Sequence, residues 1–289
     1  MMRTLGLALG GGGARGLAHL GALLALDDAG IPVSMISGTS MGAVMGAAKA
    51  IGADLTMLRR VLEMIDLNDL LQVTDSTLRE LQKLISRSVM EYVRGSSWRE
   101  EDAVPHDLAR LRELFSLLTA RKSFEDTRIP FAAVAADLET GERVVLRTGS
   151  LASALTASTS IPGIFSPVAH DGRYLIDGGI LEKLPVDTVL DLGAEAVVAV
   201  DTGAPLDRVV DTCLDALLQS QRATSRFLTG LQLDLVRERL GDRLVVVCPN
   251  VGWIRMFGFE HSAEAIQAGE EAVRARLDDI RHALTDAPA

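Results

Sequence analysis

At 289 residues and 48% hydrophobic content, the chain can bury one large core, and a single domain over residues 1–289 is the expected organisation. A formal net charge of -10 argues against sequence-independent nucleic-acid binding and gives no general attraction to anionic lipid, so a lipid partner is expected to be held by apolar contact. Cys213 and Cys248 are far apart and lack metal-type spacing, which points away from a disulfide framework or a zinc site.

Near the N-terminus, a short apolar run from Leu5 to Leu9 breaks into Gly10 to Gly13 and does not sustain a secretory signal. No stretch has the apolar length of a membrane span, and a soluble, cytoplasmic protein is expected. Thr4 to Leu9 reads as a buried strand, followed by a glycine-rich loop and a helix through about Ala29. Gly11-x-Gly13-x-x-Gly16 fits the dinucleotide fingerprint, yet the second strand, Val33 to Ser37, runs into Gly38-Thr39-Ser40 where that fingerprint expects an acidic residue for a ribose. The missing acidic residue counts against the dinucleotide reading. Backbone N–H groups in Gly11, Gly12 and Gly13 are instead placed beside the next strand's end, where they would form an oxyanion hole. Arg15 is a candidate anion contact, with a solvated surface position as its alternative.

Gly38-Thr39-Ser40-Met41-Gly42 sets one hydroxyl between two glycines at a strand-to-helix junction, with Ala43 to Ala50 as the helix. This is the pattern of a nucleophile elbow and makes Ser40 the candidate nucleophile. From Asp54 to Thr127 the chain reads as a helical insertion: Leu78, Leu81, Leu84 and Ile85 share helical spacing, as do Leu108, Leu111, Leu114 and Phe115. Arg79, Lys83, Arg87 and Arg94 are assigned to a solvated face, and Met90 and Trp98 to the core.

Pro130 to Asp137 and Arg143 to Arg147 read as a hairpin. Small residues from Ala152 to Ser160 suggest a closely packed helix, and a second hairpin turns at Asp171-Gly172 to deliver Asp177-Gly178-Gly179. A serine needs a positioned base, and an aspartate followed by two glycines at a strand end supplies one, provided partial desolvation raises its basicity. Strands follow at Ala196 to Val200 and Arg243 to Cys248, separated by a helical region from about Asp211 to Arg239. One last helix is predicted from about Ser262 to Leu284. Trp253, Ile254, Met256, Phe257 and Phe259 form either core packing or an apolar lip. The alternation implies a three-layer α/β/α domain with a central, mostly parallel sheet.

Together, Gly10-Gly11-Gly12-Gly13-Ala14-Arg15-Gly16, Gly38-Thr39-Ser40-Met41-Gly42 and Asp177-Gly178-Gly179 resemble the motifs of bacterial patatin-like phospholipases. Ala136-Asp137-Leu138-x-Thr140-Gly141-Glu142 and Ala157-Ser158-x-x-Ile161-Pro162-Gly163-x-Phe165-x-Pro167-Val168 are similar to that family too. The resemblance implies a patatin-like fold with a motif-bearing core over residues 5–191, a helical insertion over 54–127 and a C-terminal completion over 192–289. It implies a serine acyl hydrolase with a Ser40–Asp177 dyad, acting on phospholipids, lysophospholipids or other fatty-acyl esters without metal or organic cofactor. Peripheral membrane contact is expected with it. Glu182-Lys183 departs from the family pattern, which often has Asn before the Leu-Pro-Val segment. Two alternatives stand beside this reading. One is a Ser-His-Asp esterase using His261 or His282, with His19 and His170 assigned structural or surface roles; the other is a binding or regulatory protein that has lost its chemistry.

Overall fold

The computed structural model describes residues 2–65, 106–203, 205–206, 210 and 213–285. Strands β1 (Leu5–Leu9), β2 (Met35–Thr39), β3 (Phe131–Asp137), β4 (Arg143–Leu146), β5 (Val168–His170), β6 (Arg173–Asp177), β7 (Ala196–Val200) and β8 (Leu244–Val247) form one sheet in the order β5-β6-β3-β2-β1-β7-β8, with β4 paired to β3. Pairing is parallel from β3 through β8 and antiparallel at β3–β4, β3–β6 and β5–β6.

Around the sheet lie α1 (Ala18–Asp28), α2 (Met41–Ala50), α3 (Leu55–Met64), α4 (His106–Leu118), α5 (Leu151–Thr159), α6 (Val186–Asp191), α7 (Cys213–Leu240), α8 (Ser262–Arg274) and α9 (Leu277–Leu284). Successive strand residues point to opposite sheet faces, and the apolar runs of the parallel strands serve both. Leu5, Leu7 and Leu9 of β1, with Val198 and Val200 of β7, pack into a core shared with α1, α2, α5, α8 and α9. Ala8, Val197 and Ala199 point the other way, against Val186 and Val189 of α6 and Leu233 and Val236 of α7. This is the expected three-layer α/β/α arrangement with a mostly parallel sheet.

Two boundaries differ from the sequence reading. The second strand starts and ends two residues later than expected, because β1 pairs Leu9 with Gly38 and β3 pairs Val134 with Thr39. The turn therefore shrinks to Ser40 itself. The predicted last helix is two helices, broken at Arg276; the change of direction lets Ile280, Ala283 and Leu284 of α9 pack into the core.

Of the insertion, α3, α4 and a short turn at Phe124–Asp126 are described. Asp54 caps α3 by accepting the Met57 amide at 2.9 Å, and Leu108, Leu111 and Phe115 are buried along α4 as their spacing predicts. Leu78, Leu81, Leu84, Ile85, Met90, Trp98 and the basic residues between them lie outside the described residues. Among the described residues no helix is long and apolar enough to cross a membrane.

Candidate active site

Strand register brings the serine and the aspartate together. One edge of β3 is occupied first by β2, with Thr39 opposite Val134, and then by β6, with Asp177 opposite Ala135. Strand β4 must hold the other edge, because Val134 and Ala135 pair with it as well. Two distant strands thus meet end to end along one edge, and Ser40 follows the first while Asp177 closes the second.

Ser40 adopts φ 54° and ψ -127°, a backbone conformation that side chains disfavour and that surrounding contacts must hold. The holding contact on its amide is the Ser158 hydroxyl: the Ser40 N–H donates to Ser158 Oγ at 2.9 Å, and that hydroxyl donates onward to the Val134 carbonyl at 2.6 Å. Helix α5 thereby fastens the elbow to β3. The turn closes only without a side chain at Gly42, where a Cβ would lie 2.1 Å from the Leu9 carbonyl oxygen. Gly16, Gly38 and Gly178 are equally confined, each with a neighbouring atom within 2.6 Å of where a Cβ would sit.

Asp177 is buried. Burial pushes its carboxyl up to about 6, against the opposing pull of the Gly179 amide and of a hydrogen bond with the Ser40 side chain. The Gly179 N–H donates to Asp177 Oδ1 at 2.7 Å. With no cation paired to Asp177 among the described residues, the desolvation of its charged form prevails.

The glycine-rich loop is pinned almost everywhere. The Gly10 N–H donates to Val200 at 3.1 Å and the Gly11 N–H to Lys183 at 2.9 Å, while the Ala14 N–H donates to Met256 at 2.8 Å. On the acceptor side, His19 Nε2 bonds the Gly10 carbonyl at 2.6 Å and Thr202 Oγ1 donates to the Gly11 carbonyl at 3.3 Å. The Gly11 amide is thus engaged elsewhere, which corrects the expectation that it faces an oxyanion. Gly12 and Gly13 keep N–H groups with no hydrogen bond among the described residues. Gly13 also has φ +58°, and a Cβ there would lie 2.4 Å from the Met256 carbonyl oxygen; only glycine fits the position.

Gly11, Gly12, Gly13, Arg15, Ser40, Asp177 and Gly179 line one cavity of about 530 Å³. Arg15 is buried rather than solvated, and one of its guanidinium nitrogens donates to the Ile254 carbonyl at 2.9 Å. None of His19, His170, His261 and His282 lines the cavity. His19 is fully buried, and burial lowers it to about 4, so its imidazole is neutral and serves as a strut under Gly10. His261 stacks edge-on against Trp253 with ring centroids 4.8 Å apart, and it faces Glu264 at 3.4 Å. The aromatic segment divides: Ile254 and Phe259 are core residues, whereas Trp253 is exposed.

The departure at Glu182-Lys183 is fully accommodated. The buried Glu182 carboxylate accepts from the Thr188 amide and hydroxyl at 3.1 and 2.6 Å, from Arg143 at 3.0 Å and from Gln232 at 3.2 Å. Its carbonyl receives the Thr39 hydroxyl at 2.8 Å, one residue before the nucleophile candidate. The supporting roles of Ser158, His19 and Thr202 are not readable from sequence, although Ser158 lies in one of the segments that resemble the family.

A parallel α/β sheet that ends in a strained serine, a buried carboxylate and unpaired main-chain amides around one cavity has the architecture of an acyl-transfer site. The comparisons make the assignment specific: a model of the patatin-like phospholipase family matches residues 7–190, and the chain belongs to that family. It is 28% identical to an NTE family protein of Mycobacterium tuberculosis over 95% of this chain and 46% of that one. It is 32% identical to patatin-like phospholipase domain-containing protein 6 of Mus musculus over 74% of this chain and 14% of that one, and 31% identical to neuropathy target esterase sws of Drosophila melanogaster over 71% and 13% respectively. The chain spans about half the length of the mycobacterial relatives it matches. Among solved structures, ExoU in its heterodimeric complex with SpcU from Pseudomonas aeruginosa superposes with a TM-score of 0.51 at 18% identity, covering 99% of this chain and 52% of that chain, a likeness of fold.

Proposed function

We propose that the protein is a serine acyl hydrolase that cleaves fatty-acyl esters of phospholipid or lysophospholipid type through a Ser40–Asp177 dyad. The observation that carries this reading is the meeting in one cavity of Ser40, at its strained elbow, and the buried Asp177. Ser40 Oγ attacks the acyl carbonyl carbon as its proton passes to Asp177, and the Gly12 and Gly13 amides take the developing oxyanion. Each such donor is worth about 3 kcal/mol of barrier. Collapse breaks the bond to the leaving alcohol, which receives the proton from Asp177. Water then adds to the acyl-enzyme, giving a proton to the same carboxylate, and release of the fatty acid returns that proton to Ser40 Oγ. No metal or organic cofactor enters these steps.

A lipid surface is the proposed source of substrate. Phe227, Leu231 and Leu235 are exposed at four-residue intervals on α7, while other residues of that helix, Leu218, Ser225 and Thr229 among them, line the cavity. Incubation with a fluorophosphonate probe tests the function directly. Stoichiometric labelling at Ser40, lost in Ser40→Ala, is expected; folded protein that resists labelling would make this a binding protein.

A further inference from the structure

Lys183 and Asp201 line the cavity without a part in the acyl chemistry, and we infer that together they read a zwitterionic headgroup bearing a phosphate and a primary ammonium. The inference rests on the acyl hydrolase reading for the ester that is cut, and adds what lies beyond that ester. Lys183 Nζ donates to Asp201 Oδ1 at 2.7 Å, and the Gly203 amide donates to the same oxygen at 2.9 Å. Asp201 Oδ2 and the remaining ammonium hydrogens of Lys183 have no partner among the described residues. Side by side in one cavity, then, stand a cation with unused donors and a carboxylate with an unused acceptor.

Their position is set relative to the serine. The Gly11 amide bonds the Lys183 carbonyl at 2.9 Å, and Thr202, next to Asp201, bonds the Gly11 carbonyl at 3.3 Å. A Cβ at Gly11 would itself lie 3.3 Å from Ser40 Cβ. One residue of main chain therefore separates the ion pair's backbone from the nucleophile. The pair is not needed as a strut, because main-chain bonds from Gly10 to Val200 and from Gly11 to Lys183 already join the same segments, and a partly hydrated ion pair adds little to stability.

A phosphate satisfies the ammonium of Lys183, and a primary ammonium satisfies Asp201 Oδ2. A glycerol headgroup offers Asp201 only neutral hydroxyls, without the charge-assisted N–H of a primary ammonium, and a quaternary ammonium has no N–H to give. Arg15, Arg222 and Arg226 also line the cavity, but they act alike on any phosphate and do not separate one headgroup from another. Asp201 does, since the one other carboxylate that lines the cavity among the described residues, Asp177, serves the acyl chemistry.

The test compares lysophosphatidylethanolamine, lysophosphatidylcholine, lysophosphatidylglycerol and monoacylglycerol of one acyl length in neutral detergent micelles. In parallel, binding of glycerophosphoethanolamine and glycerophosphoglycerol to the same protein is followed by NMR. The ethanolamine lipid is expected to exceed each of the others in kcat/KM by about tenfold, chiefly through KM, and glycerophosphoethanolamine to bind more tightly than its glycerol counterpart. In Lys183→Met and Asp201→Asn, checked for native melting, the ratio of ethanolamine to glycerol lipid falls towards one. Equal kcat/KM across the four lipids, with hydrolysis intact, would overturn the headgroup inference alone. Headgroup binding that keeps its preference without any ester cleavage would instead overturn the hydrolase reading, and loss of both would overturn both.

Discussion

Two aspartates meet the same cavity from the same kind of turn and behave in opposite ways. Asp177-Gly178-Gly179 closes β6, and Asp201-Thr202-Gly203 follows β7; in each, a glycine amide two residues on donates to Oδ1, at 2.7 and 2.9 Å. Burial acts on both carboxyls in the same upward direction. Asp177 rises to about 6 because only hydrogen bonds oppose that burial, whereas at Asp201 burial, the largest single influence, is outweighed by the charge and hydrogen bond of Lys183 acting together with the Gly203 amide, and that carboxyl is held below its ordinary value. A counter-ion, more than depth, decides which carboxylate can serve as a base near neutral pH. Asp201 is held as a permanent anion, suited to binding.

Breaking the comparison at Asp177 has the largest expected effect. Asp177→Asn is predicted to lower kcat by about 10³-fold, the scale of a lost general base, while the fold survives. At pH 8 it relieves a buried charge whose carboxyl is lifted to about 6, chiefly by burial, a cost on the order of 3 kcal/mol, so its melting temperature should match or exceed that of the parent. A stable Asn variant with near-parental turnover would remove Asp177 from the chemistry.

Ser158→Ala acts on the Ser40 elbow without altering either side chain of the dyad. It strands the buried Ser40 amide and the Val134 carbonyl, which costs about 1–3 kcal/mol. The expected result is a kcat/KM lower by about tenfold or more with a fall in melting temperature of several degrees. Unchanged kinetics and melting would show that the elbow does not rely on that hydroxyl.

His19→Phe acts beneath the glycine loop, beside Lys183 and Asp201, and gives the smallest effect. Loss of the Gly10 contact should reduce kcat by about three- to tenfold. Its stability carries a sign that can be checked. The folded imidazole sits near 4 against an unfolded 6.5, so the parent loses stability as pH falls from 6.5 towards 4, by up to about 3 kcal/mol. Asp177 works in the opposite sense: protonated more readily in the fold, it favours the folded state as pH falls from 6 towards 3.8. Removing His19 leaves the second trend alone, so the variant's deficit in denaturant unfolding should narrow between pH 7 and 5. A widening deficit would contradict a neutral buried imidazole.

Much of this architecture is legible in residue order. Strict apolar runs such as Leu5 to Leu9 and Ala196 to Val200 announce strands buried on both faces, and glycines flanking Ser40 and following Asp177 announce turns that need close approach. The two-residue shift of β2 was not legible, because its end is set by pairing with Leu9 and Val134 rather than by its own composition. The break at Arg276 escaped for a related reason: helical spacing continues through it, and only docking of Ile280 and Leu284 imposes the bend. Which loop amides stay free was equally hidden, since Gly11 loses its N–H to a carbonyl 172 residues away in sequence, at Lys183. The unlike fates of Asp177 and Asp201 depend on where one lysine side chain falls, and local sequence around each Asp-x-Gly turn is nearly the same.

The most direct test of the central claim is the pH dependence of kcat/KM on a neutral, soluble acyl ester, which reports the free enzyme's ionisations. A single acid limb with its midpoint near pH 6 is predicted, activity falling as Asp177 takes up its proton. Activity that stays flat down to pH 4.5 would contradict a desolvated Asp177 acting as the base.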